Sequence, residues 1–141
     1  MIKKSLLAAG LVATLAPPVL AEGFLVGRPQ RVPDLVIGLG DAGYDWKQEP
    51  VTLETGKGYR MWLKATGAKE CAFQAPEFFE NVWFRKIEVN KVELKVQSVH
   101  EIEFEQEGSA ELFFTPIKPG EYTWKCNGLE DKGLTGKITV K

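Results

Sequence analysis

The run Pro119-Gly120-Glu121-Tyr122-Thr123-Trp124-Lys125-Cys126, a seven-residue loop, and Leu134-Thr135-Gly136-Lys137-Ile138-Thr139-Val140 decide how this chain folds. Pro119-Gly120 is a turn signal, because proline presets one backbone angle and glycine tolerates the other. Beyond the turn, Tyr122, Trp124 and Cys126 fall on one face and Glu121, Thr123 and Lys125 on the other, the period of two that marks a half-buried strand. Leu134, Ile138 and Val140 alternate in the same way with Thr135, Lys137 and Lys141. Two strands facing one core are expected here, with the Cys126 thiol on the apolar side.

The same signature recurs upstream. Val51 to Thr55 alternates, Gly56-Lys57-Gly58 turns, and Tyr59 to Ala65 alternates again with Tyr59, Met61 and Leu63 on one face. Glu70 to Gln74 is short and extended, and its phase puts Cys71 with Phe73 inward and Glu70 outward. Lys86 to Val89, Val92 to Val96 and Glu101 to Glu105 carry strand signals, and Ala110 to Thr115 is apolar enough for a strand buried on both faces. Ala75 to Phe84 is irregular and dense in aromatics, with room for one helical turn after Pro76 or for a loop over one end of the fold. About eight strands without a long helical pattern predict an all-β chain, a Greek-key β-sandwich or barrel.

Residues 1–21 read as a cleaved secretory signal, with Lys3 and Lys4, an apolar middle broken by Pro17-Pro18, and small residues leading to Ala21. Residues 22–50 read as an irregular lead-in with one strand at Leu35-Val36-Ile37, and 51–141 as the core, so that 22–141 make one domain. Without the leader, 16 basic residues face 19 acidic ones, a formal charge of −3. That scattered balance argues against a nucleic-acid or anionic-lipid partner, and no transmembrane segment is expected after cleavage. The expected location is periplasmic or secreted. Cys71 and Cys126 are the only cysteines, and an even count in an exported chain makes a disulfide the default.

The closing Pro-Gly-Glu-Tyr-x-x-x-Cys, then Gly-x-x-Gly-Lys-Ile-x-Val, resembles the C-terminal signature of cupredoxins, and the resemblance covers roughly Val51 to Lys141. It implies a cupredoxin-like Greek-key sandwich with Cys126 at the position of the family's cysteine ligand. A blue-copper centre also needs two histidines and a weak axial methionine. The loop Asn127 to Gly133 contains neither residue, and His100 is the only histidine in the chain. A type 1 blue-copper site is therefore not expected. The place of the family's first histidine holds Glu70-Cys71. A narrower resemblance, to cupredoxin domains of bacterial periplasmic ferrous-iron uptake systems, implies a carboxylate there, Glu70, and a transition metal, iron or copper. Cys71 departs from that pattern.

The resemblance implies that Cys71 and Cys126 share one pocket, and three states compete there. They form a disulfide, which needs Cα atoms about 5.5–6 Å apart; they act as thiolate ligands completed by Glu70, Glu130, Asp131 or His100; or they stay as unpaired buried thiols. Thiolate with carboxylate is a mixed donor set for iron or copper. The corresponding functions are a metal-binding or metal-relaying protein, beside a membrane permease or a redox partner, and a metal-free, disulfide-stabilised interaction module. The aromatics Phe78, Phe79, Trp83 and Phe84 are either packing or a cover that docks such a partner. Asp34, Asp41 and Asp45 sit among glycines without calcium-loop spacing. No Gly-x-Ser-x-Gly, His-Glu-x-x-His or phosphate-binding loop occurs, so the chain is not expected to be an enzyme.

Overall fold

A computed structural model describes residues 27–141. The leader expected over 1–21 lies outside the described residues. Twelve strands, numbered in chain order, form two sheets. β1 (Gln30–Arg31), β2 (Leu35–Leu39), β3 (Asp45–Lys47), β5 (Tyr59–Ala65), β7 (Val82–Val89), β8 (Val92–Leu94) and β10 (Gly108–Pro116) make the larger one. β4 (Thr52–Leu53), β6 (Cys71–Gln74), β9 (Ile102–Phe104), β11 (Gly120–Cys126) and β12 (Thr135–Val140) make the smaller. The large sheet runs β3-β2-β5-β10-β7-β8 with β1 beside β5, and the small one runs β4-β12-β11-β6-β9.

The alternations expected from the sequence decide which side faces inward. Tyr59, Met61, Leu63 and Ala65 of β5 are buried, as are Tyr122, Trp124 and Cys126 of β11. They meet between the sheets in one core that also takes Leu35, Ile37, Phe73, Leu112, Phe114 and Leu134. Residues 110–116 of β10 are all buried. Its outward face is covered by long side chains, with the Lys86 ammonium 4.4 Å from the Phe113 ring centre and Arg60 3.7 Å from Glu111.

Two differences from the sequence expectation have local causes. The stretch before Val51 carries three strands, of which β1 and β2 pair parallel with β5 and β3 antiparallel with β2. β2 contains the expected strand Leu35-Val36-Ile37, whereas β1 and β3 are too short and too polar to alternate visibly, and backbone pairing alone makes them strands. The alternation over Val51 to Thr55 shortens to Thr52–Leu53, which pairs with β12. Of the two forms expected for the aromatic segment it takes the single helical turn, α1 (Pro76–Glu80), opened by proline at its first position, and β7 then starts at Val82. That turn points Phe78 and Phe79 into the core, and Phe84 follows from β7. The aromatic cover is thus mostly core packing; of the four, only Trp83 is exposed, at 38%.

Candidate functional site

β6 and β11 lie side by side and antiparallel, with Cys126 opposite Phe73 and Lys125 opposite Gln74. Cys71, two residues before Phe73, is therefore the diagonal neighbour of Cys126 on the same inward face. The two residues are joined in a disulfide with Cα atoms 5.0 Å apart, closing a separation of 55 residues. Both halves are buried, Cys71 to 2% exposure and Cys126 to 0%. The inward phase read for Cys71, and the outward one for Glu70, are both observed.

The loop after Cys126 folds tightly over it. Cys126 N–H donates to the Leu134 carbonyl at 2.9 Å, Leu129 N–H to the Cys126 carbonyl at 2.9 Å, and Asn127 N–H to the Ala72 carbonyl at 3.0 Å. A 3-10 turn over Glu130–Lys132 follows, ending at Gly133 with φ 107°, a conformation that glycine adopts without penalty. Leu129 packs against the core from this loop.

Trp124 builds the floor. Its ring is fully buried and stacks on Phe73 at 5.5 Å, and it meets Trp46 edge-on at 5.0 Å. Gly136 of β12 lies opposite Trp124 in register, and a β-carbon there would come within 2.6 Å of the indole nitrogen. Gly136→Ala should consequently destabilise the fold by about 1–3 kcal/mol, the usual cost of overpacking. A chemical denaturation midpoint that falls without a change in slope checks it.

The remaining candidate ligands are held elsewhere. Glu130 is ion-paired with Lys125 at 2.7 Å on the outward side of β11, and that ammonium lowers its carboxyl below the usual range. Glu70 is exposed immediately before β6, its carboxyl near that of Glu103 of β9. Glu103 is raised above the ordinary carboxylate value by desolvation and then by the negative charges of Glu101, Glu70 and Glu105. Glu70 thus belongs to an outer acidic group. His100 and Asp131 are exposed. Among the described residues no three His, Cys, Asp or Glu side chains are grouped to hold a metal. Sequence reasoning did not single out Trp46, which packs on Trp124 from an otherwise exposed three-residue strand.

No protein-family model and no curated protein sequence matches the chain. Its architecture matches solved copper proteins. A multi-copper oxidase from Pediococcus acidilactici superposes with a TM-score of 0.61 at 12% identity, covering 99% of this chain and 31% of that one. A multicopper oxidase from Campylobacter jejuni, described as a metallo-oxidase, gives 0.57 at 12%, over 81% of this chain and 30% of that one. The fold is cupredoxin-like. A copper nitrite reductase from Nitrosomonas europaea gives 0.57 at 7%, over 80% and 49% respectively. The chain spans less than half the length of each of these three neighbours.

On this cupredoxin-like frame the donors do not fit a type 1 copper ion. The Cys126 sulfur is bonded to Cys71, and the chain's single imidazole sits on exposed His100. A thiolate ligand must first be a thiolate.

Proposed function

We propose that the protein is a secreted or periplasmic, non-enzymatic binding module on a cupredoxin-like frame, with Cys71–Cys126 as its staple. The observation that carries this reading is the buried disulfide at the position where the cupredoxin pattern puts its cysteine ligand. Burial on both sulfurs favours a structural bond, because exchange requires access by an attacking thiolate. The module's partner is a protein of the same compartment, a permease or a redox protein. Protein isolated without reductant should carry neither copper nor iron stoichiometrically, as measured by elemental analysis. One metal per chain in the oxidised protein would overturn this reading.

A second reading rests on the adjacency of the two sulfurs. Reduction would leave two thiols on neighbouring strands, a soft donor pair suited to copper(I), while iron would also need Glu70 to turn inward. Competition against a chromophoric copper(I) chelator checks it. Under this reading only the reduced chain withdraws copper, and Cys126→Ala abolishes the effect. Copper(II) added to either form should give no intense blue thiolate band, because that band needs two imidazoles beside the sulfur.

A further inference from the structure

β8 ends the seven-stranded sheet, and its outer edge has no partner among the described residues. It is joined to β7 by the two-residue loop Asn90-Lys91, both with positive φ, 47° and 66°, the signature of a type I′ hairpin. Val89 pairs with Val92, Glu88 with Glu93 and Ile87 with Leu94. Residues paired across a ladder share a face, so Val89, Val92 and Leu94 continue the inward face that Ile87 buries. All three stay exposed, Val92 to 57%. The opposite face carries a charged network in which Lys86 bridges Glu88 and Glu93, and Lys95 reaches Glu93 at 2.9 Å.

In a two-residue hairpin the residues flanking the loop form a hydrogen-bonded pair, and bonded and non-bonded pairs then alternate. Val92 and Leu94 therefore use their backbone groups on β7, whereas Glu93 directs its own outward, and Lys95 is the first residue past the end of β8. An open edge of this kind, apolar on one face and charged on the other, is a template for another strand.

We propose that this edge takes a second copy of the same chain, paired antiparallel about a twofold axis at Leu94. Charge complementarity selects that occupant and that register. With Leu94 facing Leu94, Glu93 of each copy lies opposite Lys95 of the other, and Val92 lies opposite Val96. The outward backbone groups of Glu93 then exchange hydrogen bonds with those of Lys95 on both sides of the axis. A register centred on Glu93 would instead oppose Glu93 to Glu93 and Lys91 to Lys95. The other edges fit less well. β9 is lined by Glu101, Glu103 and Glu105, which would repel a copy; β4 has two residues; and the β2–β3 ladder shifts register between Ile37 and Leu39. The dimer is independent of the disulfide and of any metal.

Sedimentation equilibrium of the whole chain tests it. The wild type should show a monomer–dimer equilibrium, and Lys95→Glu should weaken association by about tenfold or more, since like charges then face each other twice. Glu93→Lys should do the same. The double swap Glu93→Lys/Lys95→Glu should restore the dimer. Unchanged thermal unfolding of Lys95→Glu, whose side chain is exposed, separates lost association from lost folding. A wild type that stays monomeric to roughly millimolar concentration overturns the proposal and leaves the edge to a strand of a different protein. A dimer indifferent to both single swaps also overturns it.

Discussion

Trp124→Ala is expected to cost about 3–5 kcal/mol. The ring is fully buried, stacked on Phe73 and capped by Trp46, and truncating an aromatic of this kind removes its transfer energy and leaves a cavity. The site cannot collapse easily, because Phe73 and Cys126 are held in register by β6 and β11. Trp46 loses its packing partner as well, so the end of the large sheet at β3 should loosen with it. Denaturant unfolding measures the loss, and amide exchange across Asp45–Lys47 measures the loosening. A change below about 1 kcal/mol, the size of an ordinary surface substitution or less, would mean that Trp124 is not the floor of this corner.

Removing the staple comes next. The double variant Cys71→Ala/Cys126→Ala is expected to lose about 2–4 kcal/mol, since a link across 55 residues restricts the unfolded chain. For a chain of this size that corresponds to a fall in Tm of roughly 10 °C. Replacing both residues avoids leaving a single reactive thiol. Reductant should lower the wild-type Tm by a similar amount and leave the double variant unchanged. Because both sulfurs are buried, reduction should be much slower for the native protein than in denaturant, where no opening step is needed.

How far these features were legible depended on whether a residue's environment is local. Tyr59, Met61 and Leu63, or Tyr122, Trp124 and Cys126, announce their faces because one side of each strand meets the core. β10 announces itself by unbroken apolarity, being covered on both sides. β1 and β3 announce nothing: Gln30–Arg31 and Asp45–Lys47 are exposed, and only their pairing with β5 and β2 makes them strands.

The site divides in the same way. The inward phase of Cys71 was local and could be read from Phe73. Its bond to Cys126 depends on the register of β6 against β11, a pairing between segments some fifty residues apart. Glu130 was a reasonable ligand candidate from its place in the loop. The 3-10 turn and the Lys125 ammonium across from it direct its carboxylate outward. Phe78 and Phe79 stayed open between packing and cover, because the aromatic content of the segment does not reveal which way a helical turn, with successive side chains about 100° apart, points them.

The staple rests on the state of two sulfur atoms, and thiol alkylation followed by intact-mass measurement reads that state directly. Protein taken from its own compartment, trapped and denatured without reductant, should carry no alkyl adduct on Cys71 or Cys126, and two adducts after reduction. Two adducts per chain before reduction would contradict the staple and return the corner to a pair of free thiols.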